Sequence, residues 1–233
     1  MAKGAPIPKR RPRIFRLLDE DVLRSDLLDE AITHRSASKK NNERLEFLGD
    51  SVLSLVMSEY LHEHHPDADE GDLSRLRSYL VRGASLAVLA QREQLGEHLV
   101  LGQGELKSGG YRRDSILADA VEAIIGAVFK LKGFDYSRRF VLELFADALA
   151  TLPPAETLKD PKSRLQEWLQ SRGMSPPQYT VLSVTGEAHR QTVTAACIVA
   201  PLELRAIASA SSRRGAEQEA AHQVLNQLLS KTN

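Results

Sequence analysis

The chain of 233 residues has a single cysteine, no net charge and no long apolar run. The lone Cys197 excludes an internal disulfide framework and a zinc site built from several thiolates, and we expect it to be a small core residue. No apolar stretch approaches the ~20 residues that a membrane span needs. The basic start, Met1 to Arg16, also lacks the apolar core of a signal peptide. With 42% hydrophobic and 27% charged residues, the sequence predicts a globular protein, cytoplasmic and without a membrane partner.

The zero net charge conceals an uneven distribution. Met1 to Arg16 holds six basic side chains and no acid. The region from Leu17 to Ala155 has an excess of acids, and the region from Glu156 to Asn233 has a small excess of bases. This pattern fits metal-binding carboxylates held near arms that bind an anionic polymer, but solubility alone would also explain it.

The spacing of apolar residues changes along the chain, which predicts two domains after a basic tail. Helical periodicity dominates the first domain, and no strand pair is evident there. Breaks are expected at His65-Pro66, near Gly71, from Gly102 to Gly110 and at Lys132-Gly133. The adjacent prolines Pro153 and Pro154 indicate a connector between the two domains. The predicted boundaries are a basic N-terminal tail over residues 1–13, an all-α domain over 14–152, a linker over 153–158 and an α+β domain over 159–230.

The second domain has the predicted order α-β-β-β-α. Residues typical of strands, and the turn from Gly186 to Arg190, support this order. The predicted elements are a helix from Pro161 to Arg172, strands from Tyr179 to Val184, Gln191 to Val199 and Leu202 to Ala210, and a helix from Ser212 to Ser230.

Five carboxylates have spacings that place them on the faces of two helices. On a helix that advances ~100° per residue, Glu43, Glu46 and Asp50 share one face. Asp119 and Glu122 share a face of a second predicted helix, which is otherwise almost wholly apolar. Carboxylates in so apolar a helix are costly unless they are paired or bind a cation. Two such helices packed together would make an oxygen-rich site suited to Mg²⁺.

Part of this acidic pattern has a simpler explanation. If Asn41 or Asn42 caps the first helix, Glu43 lies in its first turn, where the helix dipole favours a negative charge by ~0.3–1 kcal/mol. The dipole does not explain Asp50, which lies two turns into the helix, or the acids of the apolar helix. Glu70 lies in an acidic stretch that a solvated turn would also explain.

Several segments of the chain form a recognisable set. In the first domain they are Thr33-His-Arg-Ser36, Asn42-Glu-Arg-Leu-Glu-Phe-Leu-Gly-Asp50, Gly104-Glu-Leu-Lys-Ser-Gly-Gly-Tyr-Arg-Arg113 and Leu117-Ala-Asp-Ala-Val-Glu122. In this order they resemble bacterial ribonuclease III. After the linker, Lys162-Ser-Arg-Leu-Gln-Glu167 and Ser211-Ser-Arg-Arg-Gly-Ala-Glu-Gln-Glu-Ala-Ala221 resemble the first and last helices of a double-stranded-RNA-binding domain. The match covers essentially everything beyond the tail.

The resemblance implies an endonuclease for double-stranded RNA, with an all-α catalytic domain followed by the α+β binding domain. The family's catalytic and metal-binding carboxylates match Glu46, Asp50, Asp119 and Glu122, and all four are present. The implied cofactor is Mg²⁺, with Mn²⁺ as a substitute. The implied products have 5′-phosphates, 3′-hydroxyls and two-nucleotide 3′ overhangs, made from ribosomal RNA precursors and structured messenger RNAs.

Two further acids and one excluded motif complete the expected active site. Glu43 and Glu70 match family acids that support cleavage without being core metal ligands. A nucleotide cofactor is not expected, because Leu106 stands where a phosphate-binding loop needs glycine before Lys107 and Ser108.

A-form RNA hides its base edges, so the binding domain must recognise phosphates and 2′-hydroxyls. On the binding domain the candidate RNA contacts are Gln166, Gln170, His189, Arg190, Ser212, Arg213 and Arg214. In the glycine-rich segment of the catalytic domain they are Lys107, Arg112 and Arg113. A solvated helix end would also explain Arg213 and Arg214, and a surface loop would explain the glycine-rich set. Gly215 departs from the family, which often has a basic residue there, and Glu217 adds negative charge nearby, so we expect modest affinity from this domain alone.

A homodimer is the expected assembly. One chain supplies one acidic site, whereas cutting both strands of a duplex needs two, and twofold interfaces are the commonest kind. The resemblance assigns Phe47 to this interface, inserted in a pocket of the partner. The alternative is an ordinary core aromatic, since Phe47 lies between Leu45 and Leu48.

Overall fold

The structure is a computed structural model that describes residues 12–187 and 190–232, so most of the predicted tail and His189 lie outside the described residues. The chain divides into two compact units, the first ending at Ala155 and the second starting at Glu156. The helices of the first unit are α1 Arg13–Arg16, α2 Glu20–Leu23, α3 Asp26–Ala31, α4 Glu43–His64, α5 Glu70–Val81, α6 Gly83–Arg92, α7 Gln103–Lys107, α8 Asp114–Leu144 and α9 Ala146–Ala150.

The first unit is helical, and α4 and α8 form its most extensively packed pair. Helix α4 begins where Asn41 Oδ1 accepts a hydrogen bond from Glu43 N at 3.1 Å, which satisfies one of the free N–H groups of the first turn. It ends at His64, just before Pro66. Among the described residues of this unit, the strand-like pairing is a single parallel bridge between Thr33 and Val100.

Two glycines set the distance between α4 and α8. A Cβ atom on Gly49 of α4 would lie 1.7 Å from the backbone oxygen of Glu122 in α8. A Cβ atom on Gly126 of α8 would lie 2.1 Å from the backbone oxygen of Leu45 in α4. No side chain larger than hydrogen fits at either position, so the two backbones touch where the acids of both helices emerge.

Of three predicted helix breaks that contain glycine, one lies where expected and two differ in the structure. Gly133 has φ 76° and ψ −174° and divides α8 into two helical segments, at the predicted position. The break expected near Gly71 is wrong in position, because Asp69 caps α5 by accepting from Asp72 N at 2.7 Å and Gly71 lies inside the first turn. The segment from Gly102 to Gly110 is also not entirely loop, since it contains α7.

The second unit has the predicted order of elements after a short helix, α10. Its elements are α10 Ala155–Leu158, α11 Pro161–Gln170, β1 Gln178–Thr185, β2 Thr192–Val199, β3 Leu204–Ala210 and α12 Arg213–Thr232. The strands form an antiparallel sheet in the order β1-β2-β3, with an irregularity between Val181 and Ser183. Helices α11 and α12 pack together, and α12 covers β2 and β3.

The core of the second unit lies between its sheet and its helices. Leu165 and Leu169 of α11 pack with Val224 of α12 and with Cys197 of β2, which is fully buried. The expectation for Cys197 is therefore confirmed. Burial raises the pKa of its thiol.

The predicted fold class, an all-α domain followed by an α-β-β-β-α domain, is confirmed. The segment predicted as a linker, residues 153–158, contains the helical turn α10, and Arg13 of the predicted tail begins α1. Of the helices in the described ranges, none has the length and apolar character to cross a membrane.

Gly49→Ala tests the close approach of α4 and α8. The added methyl group must push α4 and α8 apart, so we expect a loss of at least about 3 kcal/mol in the unfolding free energy of the first unit, measured by urea denaturation followed by circular dichroism. Gly104→Ala is the control, because nothing lies within 4 Å of its Cβ position. It should gain about 0.5–1 kcal/mol from higher helix propensity. Equal effects of the two changes would contradict the packing argument.

Candidate functional site

Three of the four predicted metal-binding acids converge between α4 and α8. Glu46, Asp119 and Glu122 each present a carboxylate oxygen, and these oxygens lie within 4.8 Å of one another. All three side chains are partly buried. We call these three residues the acid cluster.

Asp50, the fourth predicted acid, lies one turn along α4 from Glu46 and is exposed. It does not belong to the acid cluster by distance. Its negative charge nevertheless acts on both Glu46 and Glu122 and raises the pKa of each. Asp50 therefore lies at the solvent side of the same site.

Burial raises the pKa of all three members of the acid cluster, and repulsion from neighbouring carboxylates raises it further for Glu46 and Glu122. Burial is the largest cause for each of its members. It raises the pKa of Glu122 to about 8, with further contributions from the charges of Asp50, Glu46 and Asp119. The pKa of Glu46 is raised by burial and then by Asp119. Without a cation, then, close carboxylates make this site electrostatically unfavourable.

A cleft of about 470 Å³ opens beside Glu46 and Asp119. Its wall includes the cationic or polar side chains of His34, Arg35 and Arg113 as well as acids. Electrostatic interactions with His34 and Arg35 lower the pKa of Asp119, against the larger effect of burial. The cleft therefore places positive groups next to the acid cluster.

The turn that carries His34 is fixed at several points. The backbone N of His34 donates to Val100 O at 3.0 Å, and Asn42 N donates to Thr33 O at 2.9 Å. Ser36 Oγ accepts from Gly102 N at 2.9 Å and lies 2.8 Å from His34 Nδ1. Since Ser36 N also donates to Nδ1, this ring nitrogen is the acceptor and the proton belongs on Nε2. His34 Nδ1 is thus engaged in a hydrogen bond within its own turn.

The two supporting acids differ in their surroundings. Glu43 is exposed, lines the cleft and pairs with Arg35 at 3.2 Å. Glu70 begins α5 and accepts a hydrogen bond from Ser74 Oγ at 2.8 Å. Neither residue belongs to the acid cluster.

The glycine-rich segment brings one of its three predicted RNA-binding residues to the cleft. Arg113 lines the cleft and pairs with Glu105 at 2.7 Å. Lys107 ends α7 and is exposed, and Arg112 is exposed with its guanidinium over the Tyr111 ring at 5.0 Å.

Phe47 projects from α4 into solvent. Its side chain is 78% exposed, although it follows Glu46 and precedes the partly buried Leu48. Leu55, two turns along the same helix, is 56% exposed. Phe47 is therefore not a core aromatic of this chain.

The predicted RNA-binding residues of the second unit lie at three places on it. Gln166 and Gln170 are exposed one turn apart on α11. Arg190 is exposed on the turn between β1 and β2, while its neighbour His189 lies outside the described residues. That turn requires glycine at Gly186, which has φ 91° and lies so close to Arg190 O that a Cβ atom would be 2.5 Å away.

The third place is the start of α12. Ser212 Oγ accepts from Gly215 N at 3.1 Å and caps the helix. Arg213 and Arg214 are exposed in the first turn. A Cβ atom on Gly215 would lie 3.0 Å from Ala210 Cβ and 3.2 Å from Ser212 Oγ, so space for a longer residue is tight there.

A buried carboxylate joins α11 to α12 at this end. Glu217 accepts from Lys162 Nζ at 2.6 Å and from Arg213 Nε at 2.8 Å, and these two bonds lower its pKa. Sequence reasoning treated Glu217 as unhelpful negative charge near the RNA. In the structure two cations neutralise it, and it ties the two candidate RNA-binding helices together.

Comparison with known proteins agrees with this arrangement. Residues 24–149 match the family described as ribonuclease-III-like, and residues 161–228 match the double-stranded RNA binding motif. The chain belongs to the ribonuclease III family. It is a double-stranded-RNA endonuclease with a C-terminal binding domain, as the sequence predicts. The family is metal-dependent, which agrees with the acid cluster.

Named relatives match nearly the whole chain, and solved structures of a nuclease domain match between 52% and 59% of it. Ribonuclease 3 of Shewanella sp. (strain W3-18-1) is 51% identical over 220 residues, 94% of this chain and 97% of the relative. Ribonuclease 3 of Shewanella oneidensis is 52% identical with the same coverage. A crystal structure of the ribonuclease III nuclease domain from Campylobacter jejuni is 40% identical, with a TM-score of 0.54, over 59% of this chain and 97% of that chain. A second structure of that domain, 46% identical with a TM-score of 0.51 over 52% and 85%, concerns flexibility in its dimer-forming region.

Sequence reasoning missed several residues that shape the site. Gly49 and Gly126 allow the two acid-bearing helices to touch, and a glycine inside each of two otherwise well-formed helices was the available signal. Arg35 and Glu105 line the cleft, but no periodicity marks them, because one lies in a turn and the other in a short helix.

The raised pKa of Glu122 predicts a specific dependence of stability on pH. In the unfolded chain the pKa of this group is near its ordinary value of 4.5, and in the folded metal-free protein burial raises it to about 8. Its contribution to stability is complete below pH 4.5 and is lost as the pH rises through 8. In metal-free buffer at pH 8.5, Glu122→Gln should raise the melting temperature of the nuclease domain by about 2–4 °C, or about 1 kcal/mol after allowance for solvent screening.

Circular dichroism at pH 8.5 and pH 4.5 measures this difference, which should vanish at the lower pH. The fluorescence of Trp168, the single tryptophan, reports on the second unit and should not change. Asp67→Asn, at an exposed position of the first unit, is the control and should melt like the wild type. A Glu122→Gln variant that is equally stabilised at both pH values would contradict the proposed cause.

Proposed function

We propose that the acid cluster, together with Asp50, binds the Mg²⁺ with which this endonuclease hydrolyses phosphodiester bonds of double-stranded RNA. The observation that carries this proposal is the convergence of Glu46, Asp119 and Glu122 within 4.8 Å. Their donors are oxygens alone, and oxygen donors favour hard cations such as Mg²⁺, or Mn²⁺ as a substitute. The raised pKa values give a second reason, since burial and the neighbouring carboxylates both disfavour the charged forms of these acids and a bound cation would favour them.

The position of each of the four acids would determine its role in catalysis. A bound divalent cation lowers the pKa of water and neutralises charge on the phosphate. Glu46, Asp119 and Glu122 would hold the cation between the helices, and Asp50 would face solvent and the substrate. No histidine or cysteine nucleophile is needed, and the Nδ1 atom of His34 is already hydrogen-bonded to Ser36. The products would carry 5′-phosphates and 3′-hydroxyls with two-nucleotide 3′ overhangs.

The second domain would hold the duplex by its backbone. Gln166 and Gln170 would contact 2′-hydroxyls, and His189 and Arg190 would enter a minor groove. At the third place, Ser212, Arg213 and Arg214 would contact phosphates near a helix N-terminus. In the catalytic domain Lys107, Arg112 and Arg113 would add phosphate contacts. Glu70 remains a proposed supporting acid.

A homodimer would supply the second active site. Phe47, 78% exposed on the helix of the acid cluster, is a large apolar side chain that a partner subunit would cover. We propose domain limits of 14–152 for catalysis and 159–230 for binding, joined by residues 153–158. Ribosomal RNA precursors and structured messenger RNAs in the cytoplasm are the proposed substrates.

Cleavage of labelled duplex RNA tests the proposed chemistry. The wild type should cut with Mg²⁺ and not in EDTA. Glu122→Gln should lose cleavage while binding the duplex nearly as well, because the change keeps shape and removes the charge that holds the cation. Turnover above a tenth of the wild-type value at saturating Mg²⁺ would show that the metal site is misplaced. Binding without cleavage by the wild type would indicate an RNA-binding regulator instead.

Removal of the second domain tests whether that domain holds the RNA while the first domain cleaves it. A chain ending at Pro154 should stay folded and dimeric in sedimentation, because the helical unit has its own core. It should cut duplex RNA at low salt and lose most activity near physiological salt, since the phosphate contacts of the second domain are gone. Equal activity of both forms across a salt titration would mean that the second domain does not hold the RNA.

A further inference from the structure

Arg35 occupies an unusual place in the cleft beside the acid cluster. It lines the cleft together with Glu46 and Asp119, and its side chain is 70% exposed. Its positive charge lowers the pKa of both acids, against the effect of burial. A cation that acts on two metal-binding acids and still faces solvent is well placed to meet an anion that comes to the metal.

The backbone around Arg35 is held firmly. Its turn is hydrogen-bonded to the start of α4 through Asn42 N and to the segment before α7 through Gly102 N. A Cβ atom on Gly102 would lie 2.2 Å from Ser36 O, so the two segments are in direct contact. The backbone of the turn is therefore anchored to two neighbouring segments, and the Arg35 side chain extends from it to the cleft.

Glu43 determines the direction of the Arg35 side chain. Glu43 Oε1 accepts from Arg35 NH1 at 3.2 Å, and the backbone N–H of Glu43 donates to Asn41 Oδ1 at the start of α4. A guanidinium has five N–H donors, so one bond to a carboxylate leaves the others for a phosphate. Glu43 is also outside the acid cluster, where all three oxygens lie within 4.8 Å.

We propose that Arg35 binds a backbone phosphate of the RNA next to the acid cluster, and that Glu43 is a positioning residue that acts through Arg35 rather than as a metal ligand. This inference rests on the proposed function of the site. It gives Glu43 a role that neither the helix dipole nor metal binding provides. The pair keeps the guanidinium extended over the cleft before substrate arrives, which reduces the entropy cost of binding.

The test compares Arg35→Gln with Arg24→Gln in the full-length protein. Arg24 is an exposed arginine away from the proposed site that pairs with Glu20 at 3.2 Å, the same distance as Arg35 from Glu43, so it is a matched control for charge. Arg35→Gln should lower kcat/KM on duplex RNA by about tenfold to a hundredfold, as for loss of a charged hydrogen bond. Its Mg²⁺ half-saturation should not rise, because removing a positive charge beside Glu46 and Asp119 does not weaken cation binding. Arg24→Gln should match the wild type, and equal kcat/KM for all three proteins would overturn the proposal.

Binding separates this inference from the proposed chemistry. Duplex affinity of Glu122→Gln, with and without Arg35→Gln, is measured over a salt series in Mg²⁺. The double variant should show a slope of log K against log salt that is smaller by about 1, the value for one lost phosphate contact. If the wild type does not cut, the proposed chemistry fails while this slope still decides the role of Arg35. An unchanged slope means that Arg35 does not bind phosphate.

The role of Glu43 is decided by a double-mutant cycle. Glu43→Gln should lower kcat/KM, and adding it to Arg35→Gln should change nothing further, because a positioning residue has no effect once its partner is gone. A metal ligand would behave differently. If Glu43→Gln raises the Mg²⁺ half-saturation equally with and without Arg35, Glu43 binds the metal and its assignment as a positioning residue is wrong.

Discussion

Direct contact between the backbones of α4 and α8 is the constraint on which the active site depends. Gly49 touches the carbonyl of Glu122, and Gly126 touches the carbonyl of Leu45. With the helices this close, acids on their facing sides come within 4.8 Å of each other. Burial, and then repulsion from the neighbouring carboxylates, raises the pKa of Glu122 to about 8, so the fold holds an unfavourable arrangement of acids that a cation can relieve. The close packing of α4 and α8 is therefore also what brings the candidate metal-binding acids together.

In each unit, some of the cations at the candidate sites are paired with acids. In the first, Arg35 pairs with Glu43 and Arg113 with Glu105, beside the cleft. In the second, the nearly buried Glu217 holds Arg213 and also Lys162. Exposed ion pairs add little stability by themselves. Their value lies in orientation, because a cation that is already directed outward loses less entropy when it binds a polyanion.

Much of the fold could be predicted from local sequence. Pro66 ends α4 and Gly133 divides α8, since each of these residues acts through its own backbone. The prediction failed near Gly71, where the Asp69 cap outweighs the low helix propensity of glycine in the first turn. It also missed the short helix α7 within a glycine-rich segment. At the start of α5 a local interaction therefore decided the outcome against average propensity.

The sequence by itself determined the family, the order of the domains and the helix faces on which the acids lie, because helical spacing and motif order are properties of a linear chain. Only the tertiary structure decided which acids meet. It separates exposed Asp50 from the acid cluster, places Arg35 in the cleft and pairs Glu217 with two cations. These are contacts between segments far apart in the chain. Their distances depend on how closely the helices pack, which no local pattern encodes.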